Sequence, residues 1–527
     1  MKKRILLVSP VIDAAYPNLG IPGLYDKKAT MVPLHIATLA AMTAPDFEVD
    51  LWDELVHGVI TEDTQFQHEY ALVGVTGYSL HLKRAKEIAQ IFRKKGSLVA
   101  IGGPGVTTQP DSCRKDFDIM FLGEAERTWL EFIEDFRAGN YHNVYQEHEF
   151  ADLSTSPQPK WDSIAHLLKS SYIFGGVQVN RGCPYDCEFC SVWQLLGRKM
   201  RIKPIDRVIE EMKTLQKLGM EEIFIVSDNF VGNPRYAKDV LRELIELNAT
   251  LDIPLSFFAE LTITIARDEE MLSLLSQANF SSILIGIESP NLASLKETRK
   301  RMNINGDLVS HCKKIGSYGL IIEGSMILGF DNDTPEIFDV QFDFMQRASI
   351  LIPRINLLKA TPGTDLRKRL VSEGRVLDVE KSYGNHAAAF MTANFTTDVI
   401  PKNMTIVELL SGYLDLTERL LDWKNYQGRI MGFLSDIRHH KSGQRFDQKA
   451  MDALNTSIES LPKNIEQGIK EIISYTQKEL PFMLQEVVMR LRRYIFEIGK
   501  LPKLQIAVKQ QIDMEKSGKV KFAVASK

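Results

Sequence analysis

Short apolar runs that end in small or polar residues recur through the first part of the chain. Five of these runs predict buried strands of a parallel sheet: RILLVSP (4–10), FEVDLWDE (47–54), ALVGVTGYS (71–79), LVAIGGPGV (98–106) and DIMFLGE (118–124). Apolar positions at helical spacing lie between them, at 34–43 and 83–96. This alternation predicts a doubly wound, Rossmann-like α/β domain over residues 1–150. Ligands of such sheets bind at the carboxyl ends of the strands.

A second alternation follows residues 151–170, a Pro- and Ser-containing segment that is predicted to be a linker. Six further apolar runs predict strands, at 174–180, 221–228, 254–261, 281–289, 320–330 and 354–360. Helical spacing lies between several of these runs, as at 205–219 and 236–248. Six βα units without a long break favour a partial (β/α)6 TIM-like barrel over 171–385, although periodicity alone does not distinguish a barrel from an open sheet. Residues 386–527 predict a helical C-terminal domain.

Composition narrows the class of protein. The chain has 527 residues and a net charge of −4, so no global basic field indicates a nucleic-acid partner. The sequence has no apolar run long enough to cross a membrane, and the run after MKKR is too short for the core of a signal peptide. Five cysteines form no disulfide framework and fit a reducing compartment. We therefore expect a cytoplasmic protein.

Three of the five cysteines, Cys183, Cys187 and Cys190, are spaced C-x3-C-x2-C at the exit of a predicted strand. Soft thiolates so close together indicate an iron–sulfur cluster or zinc. A structural zinc needs four protein ligands, and no fourth Cys or His lies nearby. Three ligands suit a [4Fe–4S] cluster with one open iron. A zinc ion completed by a distant residue, or three unrelated buried thiols, are the alternatives.

The stretch CPYDCEFC, preceded by Arg-Gly, resembles the cluster motif of the radical S-adenosylmethionine (SAM) enzymes. The resemblance implies that the three cysteines hold the cluster and that SAM chelates the open iron. It also implies that cleavage of SAM yields a radical that removes a hydrogen atom from the substrate. Phe189 matches the family position that packs near adenine. The segment ATPGT (360–364) resembles the family's last-strand loop.

Acidic residues end three of the predicted strands, in IVSDNFVGN, FFAEL and IGIESP. Asp228, Glu260 and Glu288 are expected at the carboxyl edge of the barrel, where active sites are assembled. By resemblance, Asp228 and Asn229 lie where the family contacts the SAM amino group, and Glu288 or Ser289 near the ribose. The alternative is that these are capping or structural side chains.

The glycine-rich stretch GGPGVT (102–107) is not a G-x-G-x-x-G motif, and by itself it fits a tight turn as well as a phosphate site. Together with GYS (77–79) and GEAER (123–127) it resembles the cobalamin-binding domain that precedes many radical SAM modules. The resemblance implies these cofactor contacts: Thr76, Gly77, Ser79, Gly102, Gly103, Gly105 and Gly123. The first-strand loop, SPVIDAAYPNLG, has Asp13 but lacks the histidine of D-x-H-x-x-G. His35 and His57 lie in other contexts, so we predict base-off cobalamin without a protein histidine on cobalt.

Cobalamin with radical SAM implies a class B methylase that places a methyl group on an unactivated carbon. Late motifs, including GIESPNLASLKET and GNHAAAFMTANF, resemble the subgroup that contains hopanoid C-2 methylases. This favours a small-molecule or lipid-like substrate and an electron donor such as flavodoxin or ferredoxin. The alternatives are a non-methylating enzyme that cyclises or contracts rings, and a non-catalytic cobalamin sensor or carrier. A methylthiolating enzyme would need three cysteines in its front domain, which has only Cys113.

The C-terminal stretch is basic, with ten Lys and Arg against four Asp and Glu from residue 486 onwards. A solvated helical face with a frayed end explains this charge. The alternative is peripheral attachment to an anionic membrane.

Overall fold

The computed structural model describes residues 3–12, 27–378, 395–439 and 446–517. Its internal contacts divide the chain into two compact units. The first unit comprises Met1–Pro184 and Ser191–Val226, and the second comprises Tyr185–Cys190 and Ser227–Lys527. The boundaries expected from the sequence, at 150, 170 and 385, remain predictions, and the last lies outside the described residues.

The strands and helices follow one another largely as the apolar pattern predicts. The strands are β1 (Arg4–Ser9), β2 (Ala29–Met31), β3 (Glu48–Asp53), β4 (Leu72–Thr76), β5 (Leu98–Gly102), β6 (Ile119–Leu122), β7 (Val144–Gln146), β8 (Tyr172–Gln178), β9 (Asn180–Arg181), β10 (Arg201–Ile202), β11 (Glu222–Val226), β12 (Ser256–Leu261), β13 (Phe280–Glu288), β14 (Ile322–Leu328) and β15 (Ile352–Leu357). The α-helices are α1 (Leu34–Met42), α2 (Glu54–His57), α3 (Leu82–Lys94), α4 (Pro104–Thr108), α5 (Ala125–Ala138), α6 (Ala165–Ser171), α7 (Val192–Leu196), α8 (Ile205–Lys217), α9 (Pro234–Ala249), α10 (Glu269–Gln277), α11 (Leu292–Glu297), α12 (Leu308–Gly316), α13 (Ile337–Arg347), α14 (Asp365–Ser372), α15 (Ile406–Leu421), α16 (Trp423–Asp436), α17 (Gln448–Ile458), α18 (Lys463–Glu479) and α19 (Leu484–Lys516).

The front of the first unit is a six-stranded parallel sheet in the order β3-β1-β4-β5-β6-β7. Strand β1 lies inside the sheet, and its apolar run from Ile5 to Val8 is fully buried because helices cover both faces. On α3, Ala85, Ile88, Ala89 and Phe92 recur at helical spacing and pack into the core against β1, β4 and β5. The predicted doubly wound domain is confirmed.

The first unit also holds the start of the second βα series. Strand β8 pairs in parallel with β11 on one side and with the short β2 on the other. The register joins Ala29 to Tyr172 and Met31 to Phe174. The Tyr172 hydroxyl also donates a hydrogen bond to Asp53 Oδ2 at the end of β3 (3.0 Å). A segment of the front sequence therefore completes the edge of the second sheet.

The second unit contains four parallel strands in the order β12-β13-β14-β15, with helix α9 before them and helices α10 to α13 between them. The register of β13 against β14 shifts between Gly286 and Glu288, and Glu288 has a φ of 64°. Such a bulge re-aims side chains at the end of a strand. The bulge therefore turns the Glu288 region away from the regular alternation of the sheet.

The last part of the second unit is helical, as the sequence predicts. The buried faces of α16 to α19 form one core around Tyr426, Ile430 and Leu491. Ile321 and Ile352, at the beginnings of β14 and β15, belong to the same core. Over the described ranges, none of the helices is both long enough and apolar enough to cross a membrane.

Candidate functional site

The segment before the first motif cysteine is fixed by its backbone. Gly182 has a φ of 96°, and a Cβ atom there would lie 2.8 Å from the carbonyl oxygen of Lys199. Only glycine tolerates both conditions. The next residue, Cys183, donates its N–H to the carbonyl of Gly197 (3.1 Å). The Arg-Gly that precedes the motif therefore sets the path of the chain into it.

The other two motif cysteines belong to the second unit and flank Glu188. The Glu188 N–H donates to the carbonyl of Thr298 (2.9 Å), and its carbonyl accepts from Leu366 N–H (3.0 Å). Its carboxylate accepts a hydrogen bond from Nε of Arg369 (2.7 Å). The Cys190 N–H donates to the carbonyl of Cys187 (3.1 Å). The short segment that carries both thiols is thus held on two sides by neighbouring loops.

None of the five cysteines forms a disulfide bond. Cys187 is buried and Cys183 and Cys190 are partly buried, while Cys113 and Cys312 lie in apolar cores. Within the part of the chain that the structure describes, no three His, Cys, Asp or Glu side chains are grouped so as to hold a metal ion. The donor set still fits an iron–sulfur cluster, because three cysteine sulfurs in one short segment are soft ligands that hard cations do not select.

A buried cation lies beside this loop. Lys300 is 8% exposed, and its Nζ donates to Oε1 of Glu288 at 2.7 Å. The ammonium group also lies over the ring of Phe189, 5.8 Å from its centroid. Burial lowers the pKa of Lys300, but the negative charges of Glu288, Cys187 and Cys190 outweigh it and raise the pKa overall. Lys300 therefore keeps its positive charge next to the predicted cluster ligands.

Sequence reasoning missed Lys300, because it lies in the charged run KETRKR, which is typical of a solvated surface. Phe189 and Glu288, which were predicted, meet at this lysine. Ser289, also predicted, is fully buried and accepts a hydrogen bond from Asn291 N–H at the start of α11 (3.1 Å). The Ser289 hydroxyl thus stabilises the turn that leads into α11, and its place near the ribose stays a prediction.

The predicted polar residues after β11 and on β12 interact with each other. Burial raises the pKa of Glu260, the charge of Asp228 raises it further, and Arg354 lowers it. Asn229 is only 2% exposed, and neither polar atom of its side-chain amide has a hydrogen-bond partner among the described residues. Buried amides are rarely left unsatisfied in proteins. This orphaned amide fits a polar ligand such as SAM at the end of β11.

The predicted glycines of the front domain lie at one edge of its sheet. Thr76 and Gly102 are paired at the carboxyl ends of β4 and β5, and Gly123 directly follows β6. A Cβ atom on Gly103 would lie 2.9 Å from the Thr76 hydroxyl, and one on Gly105 would lie 2.8 Å from the Tyr78 carbonyl oxygen. These glycines therefore let two loops approach each other, which is the tight-turn explanation. The edge that they form is where ligands of such sheets bind, so it fits the cobalamin that the motifs predict.

Two histidines lie near this edge. His81 Nδ1 accepts a hydrogen bond from Tyr78 N–H (3.1 Å), which leaves the ring proton of the neutral form on Nε2. Burial, together with the charge of His81, lowers the pKa of His35 to about 4. His57 is the last residue of α2, and its Nδ1 accepts a hydrogen bond from the backbone N–H of Asp53 (3.0 Å). The first-strand loop with Asp13 lies outside the described residues.

A charge network joins the glycine-rich edge of the front sheet to the segment before Cys183, and the sequence did not reveal it. Glu124, directly after Gly123, accepts hydrogen bonds from both terminal nitrogens of Arg201 (2.5 and 2.6 Å). Its carboxylate also lies 3.2 Å from Nη1 of Arg181. Arg181 in turn pairs with Glu126 (2.7 Å). The loop after β6 and the Arg-Gly before the motif are therefore held by one set of buried ion pairs.

Comparison with known proteins decides the family. The radical SAM superfamily model matches residues 177–344. A hopanoid C-2 methylase from Rhodopseudomonas palustris is 30% identical over 73% of this chain and 73% of its own length. The chain belongs to the cobalamin-dependent radical SAM family. A second family model, described as a domain of unknown function, matches residues 364–473 of the chain.

Other relatives agree with this assignment. A bacteriochlorophyllide d C-12(1)-methyltransferase from Chlorobaculum tepidum is 24% identical over 82% of this chain and 90% of its own length. The structure of the methyltransferase TsrM from Kitasatospora setae with cobalamin and a [4Fe–4S] cluster has a TM-score of 0.58 at 14% identity, over 94% of this chain and 99% of that one. OxsB with aqua-cobalamin and SAM has a TM-score of 0.59 at 12% identity, over 99% and 82%.

Family membership confirms several predictions made from the sequence. The chain is a radical SAM C-methyltransferase, and its cofactor set is a [4Fe–4S] cluster, SAM and cobalamin. The α/β fold with a front domain, a partial barrel and a helical C-terminal part is confirmed as well. The individual contact residues, including the three motif cysteines as cluster ligands, stay predictions.

Proposed function

We propose that this enzyme methylates an unactivated carbon of a small molecule, with the cluster on Cys183, Cys187 and Cys190 and cobalamin at the carboxyl edge of the front sheet. The observation that carries the proposal is that one chain combines the C-x3-C-x2-C loop with the glycine edge at Gly103 and Gly105. When bound, the cluster and SAM supply the radical that removes a hydrogen atom, and cobalamin supplies the methyl group.

The chain's own residues would bind and orient SAM. The carboxylates of Asp228 and Glu260, together with the orphaned amide of Asn229, suit the amino group of a SAM molecule at the strand ends. The buried Lys300–Glu288 pair supplies a fixed positive charge beside Phe189. Because this pair is buried, the positive charge of Lys300 acts in a region of low dielectric constant.

The relatives support methylation but name different substrates. One relative is named for hopanoids, a second for a bacteriochlorophyllide and a third for cytidylyl-2-hydroxyethylphosphonate. A hopanoid or other lipid-like substrate is one proposal for this chain. Flavodoxin or ferredoxin is the electron donor that we propose for cleavage of SAM.

Peripheral attachment to a membrane is a proposal that goes with a lipid-like substrate. On α19, Ile506 is 58% exposed between Lys503 and Lys509, which are exposed too. The basic residues Lys519, Lys521 and Lys527 lie outside the described residues. Flotation with anionic and with neutral lipid vesicles tests the proposal. Binding to neither would contradict it.

The central test is anaerobic reconstitution with iron, sulfide and cobalamin, followed by assay of SAM cleavage and of methylated product. Cys187→Ala should lose the cluster absorbance and SAM cleavage while cobalamin binding persists. Cys113→Ala is the matched control, because it removes a buried free thiol outside the motif and should keep the cluster. A fully loaded enzyme that cleaves no SAM would refute the function. A product of changed connectivity without an added methyl group would identify a ring-forming enzyme instead.

A further inference from the structure

One face of the β12–β15 sheet is polar and partly open. The register aligns Glu260, Leu284 and Glu323 in one row across three strands. The next row holds Gly286, Ser325 and Arg354. Residues of the opposite face, such as Ile283, Ile285 and Ile287, are fully buried. The polar face is therefore opposite the fully buried face. Its beginning, at Ile321 and Ile352, packs against the core of α16 to α19, and its later rows stay partly open.

This face is also concave. Arg354 lowers the pKa of Glu260, although β15 and β12 are separated by two strands. Neighbouring strands are about 4.8 Å apart, so a flat sheet would keep the two backbones about 14 Å apart. The sheet is curled, so the separation across its inner face is shorter than in a flat sheet. The polar face thus forms the wall of an internal site.

Arg354 is held on this wall by one edge of its guanidinium group. Its Nε donates to Oε2 of Glu323 at 2.7 Å, and its Nη2 donates to the same oxygen. The other oxygen of Glu323 accepts from the Ser282 hydroxyl (3.1 Å). Glu323 is fully buried, but the Arg354 side chain is 36% exposed. Among the described residues, Nη1 of Arg354 makes no hydrogen bond.

Glu323 does not need Arg354 alone to balance its charge. Burial raises the pKa of Glu323, but Arg354, Arg493 and Arg490 together lower it overall. Arg490 and Arg493 reach it from α19, each also paired with a glutamate four residues away in the chain. Arg490 and Arg493 are thus each balanced by a glutamate of their own, and Glu323 occupies only one edge of Arg354. The outer edge of the Arg354 guanidinium group faces the open side of the sheet.

We infer that Nη1 and the outer edge of Arg354 bind an oxyanion of the substrate, a carboxylate or a phosphate, so that the substrate is an anionic small molecule. A guanidinium group binds such oxyanions in its own plane with two parallel hydrogen bonds. The acidic side of the same wall, Asp228 and Glu260, repels an anion and suits the SAM amino group, which places the two ligands on opposite sides. The inference rests on the proposed methylation and names its substrate class.

The test feeds [methyl-²H₃]methionine to a strain deleted for the gene and complemented with wild type or a variant. Extracts are divided by anion exchange into a bound and an unbound fraction and searched by mass spectrometry for the labelled methyl group. Wild type should place the label in a bound, anionic product that is absent with Cys187→Ala. Elution of carboxylates before phosphates then distinguishes the two sources of the oxyanion.

Arg354→Met should lower the labelled product about 10- to 100-fold, as expected for losing a hydrogen-bonded charge, and Arg354→Lys should lower it less. Cleavage of SAM by the purified Arg354→Met protein is measured separately without substrate, and it should fall by a smaller factor than the labelled product. Arg354→Met leaves the carboxylate of Glu323 without one of its partners. The double variant with Glu323→Gln removes that charge as well and provides a second test without an unpaired carboxylate. Arg242→Met, on an exposed arginine, is the matched control and should change nothing.

Three results would overturn the inference. Label only in the unbound, neutral fraction would show a neutral substrate and leave the proposed methylation intact. Loss of SAM cleavage in Arg354→Met would make Arg354 a ligand of SAM. No label in any fraction of wild type would refute the proposed function, and the substrate class with it.

Discussion

Replacing Lys300 by Met breaks a buried ion pair and leaves the carboxylate of Glu288 alone in the interior. Lys300 is 8% exposed and Glu288 is 5% exposed, and their charged atoms are 2.7 Å apart. The pair therefore belongs to the buried class, in which removal of one partner costs about 3–5 kcal/mol. Exposed pairs contribute only about 0.2–1 kcal/mol. The expected destabilisation of Lys300→Met is thus about 3–5 kcal/mol.

Thermal unfolding of the purified protein, followed by tryptophan fluorescence, measures this cost. In domains of about 150–250 residues each 1 kcal/mol lowers Tm by about 2–4 °C, so the expected shift is about 6–20 °C. Adding Glu288→Gln to Lys300→Met removes the stranded charge and should recover most of the loss. Lys314→Met is the matched control, because its pair with Glu269 is exposed, and its Tm should move by no more than about 4 °C.

Two results would contradict the assignment of Lys300 and Glu288 as a buried ion pair. A Tm of Lys300→Met that matches the control would mean that water reaches Glu288 in the folded protein. A double variant as unstable as the single one would mean that Lys300 acts through packing on Phe189 and not through charge.

Three further predictions concern the first unit. Burial raises the pKa of Asp53 to about 6, so the folded form holds its proton longer than the unfolded form, and this contribution to stability is lost as pH rises through about 6. The free energy of unfolding of Asp53→Asn, measured with urea, should therefore rise by about 3 kcal/mol relative to that of wild type between about pH 4 and 7. Stability profiles of the two proteins that run parallel over this pH range would contradict this. Glu124→Gln should weaken cobalamin binding and cluster incorporation together, measured by absorbance after reconstitution, and loss of only one cofactor would refute the coupling. Gly105→Ala forces a Cβ atom against backbone at 2.8 Å and should destabilise by about 1–3 kcal/mol in thermal unfolding, whereas Gly428→Ala, with nothing within 4 Å, should not.

The strands of the fold could be predicted because their apolar runs are local signals. The run RILLVSP, for example, becomes β1, and LVAIGGPGV becomes β5 and the glycine turn after it. Strand β2 has only three residues, ATM, and no pattern of period two can appear in so short a segment. Its existence depends on the edge of β8, which lies far away in the sequence.

The site could be predicted only where one stretch of chain carries it. The three motif cysteines are such a case, because spacing alone brings their backbones together. Lys300 and Glu124 could not be found, since each acquires its meaning from partners that are distant in sequence. Arg354 and Glu323 did leave a signal: each is a charge inside an apolar strand run, and buried charges require partners. That signal predicts an ion pair, but it does not predict the direction in which the outer edge of the Arg354 guanidinium group points.

The short strand β2 limits how this enzyme can be recombined with its relatives. A cobalamin module cut at residue 150 would keep β2 without the strand to which it is hydrogen-bonded, and a radical module begun at 171 would expose the edge of β8. The bond from Tyr172 to Asp53 would be severed by the same cut. Chimeras joined within 151–170 should therefore aggregate or fail to fold, even when both parents bind the same cofactors. The cobalamin-binding and radical SAM parts of the chain have different chemical tasks, but they are not independently exchangeable structural modules. We therefore expect the two parts to be inherited together.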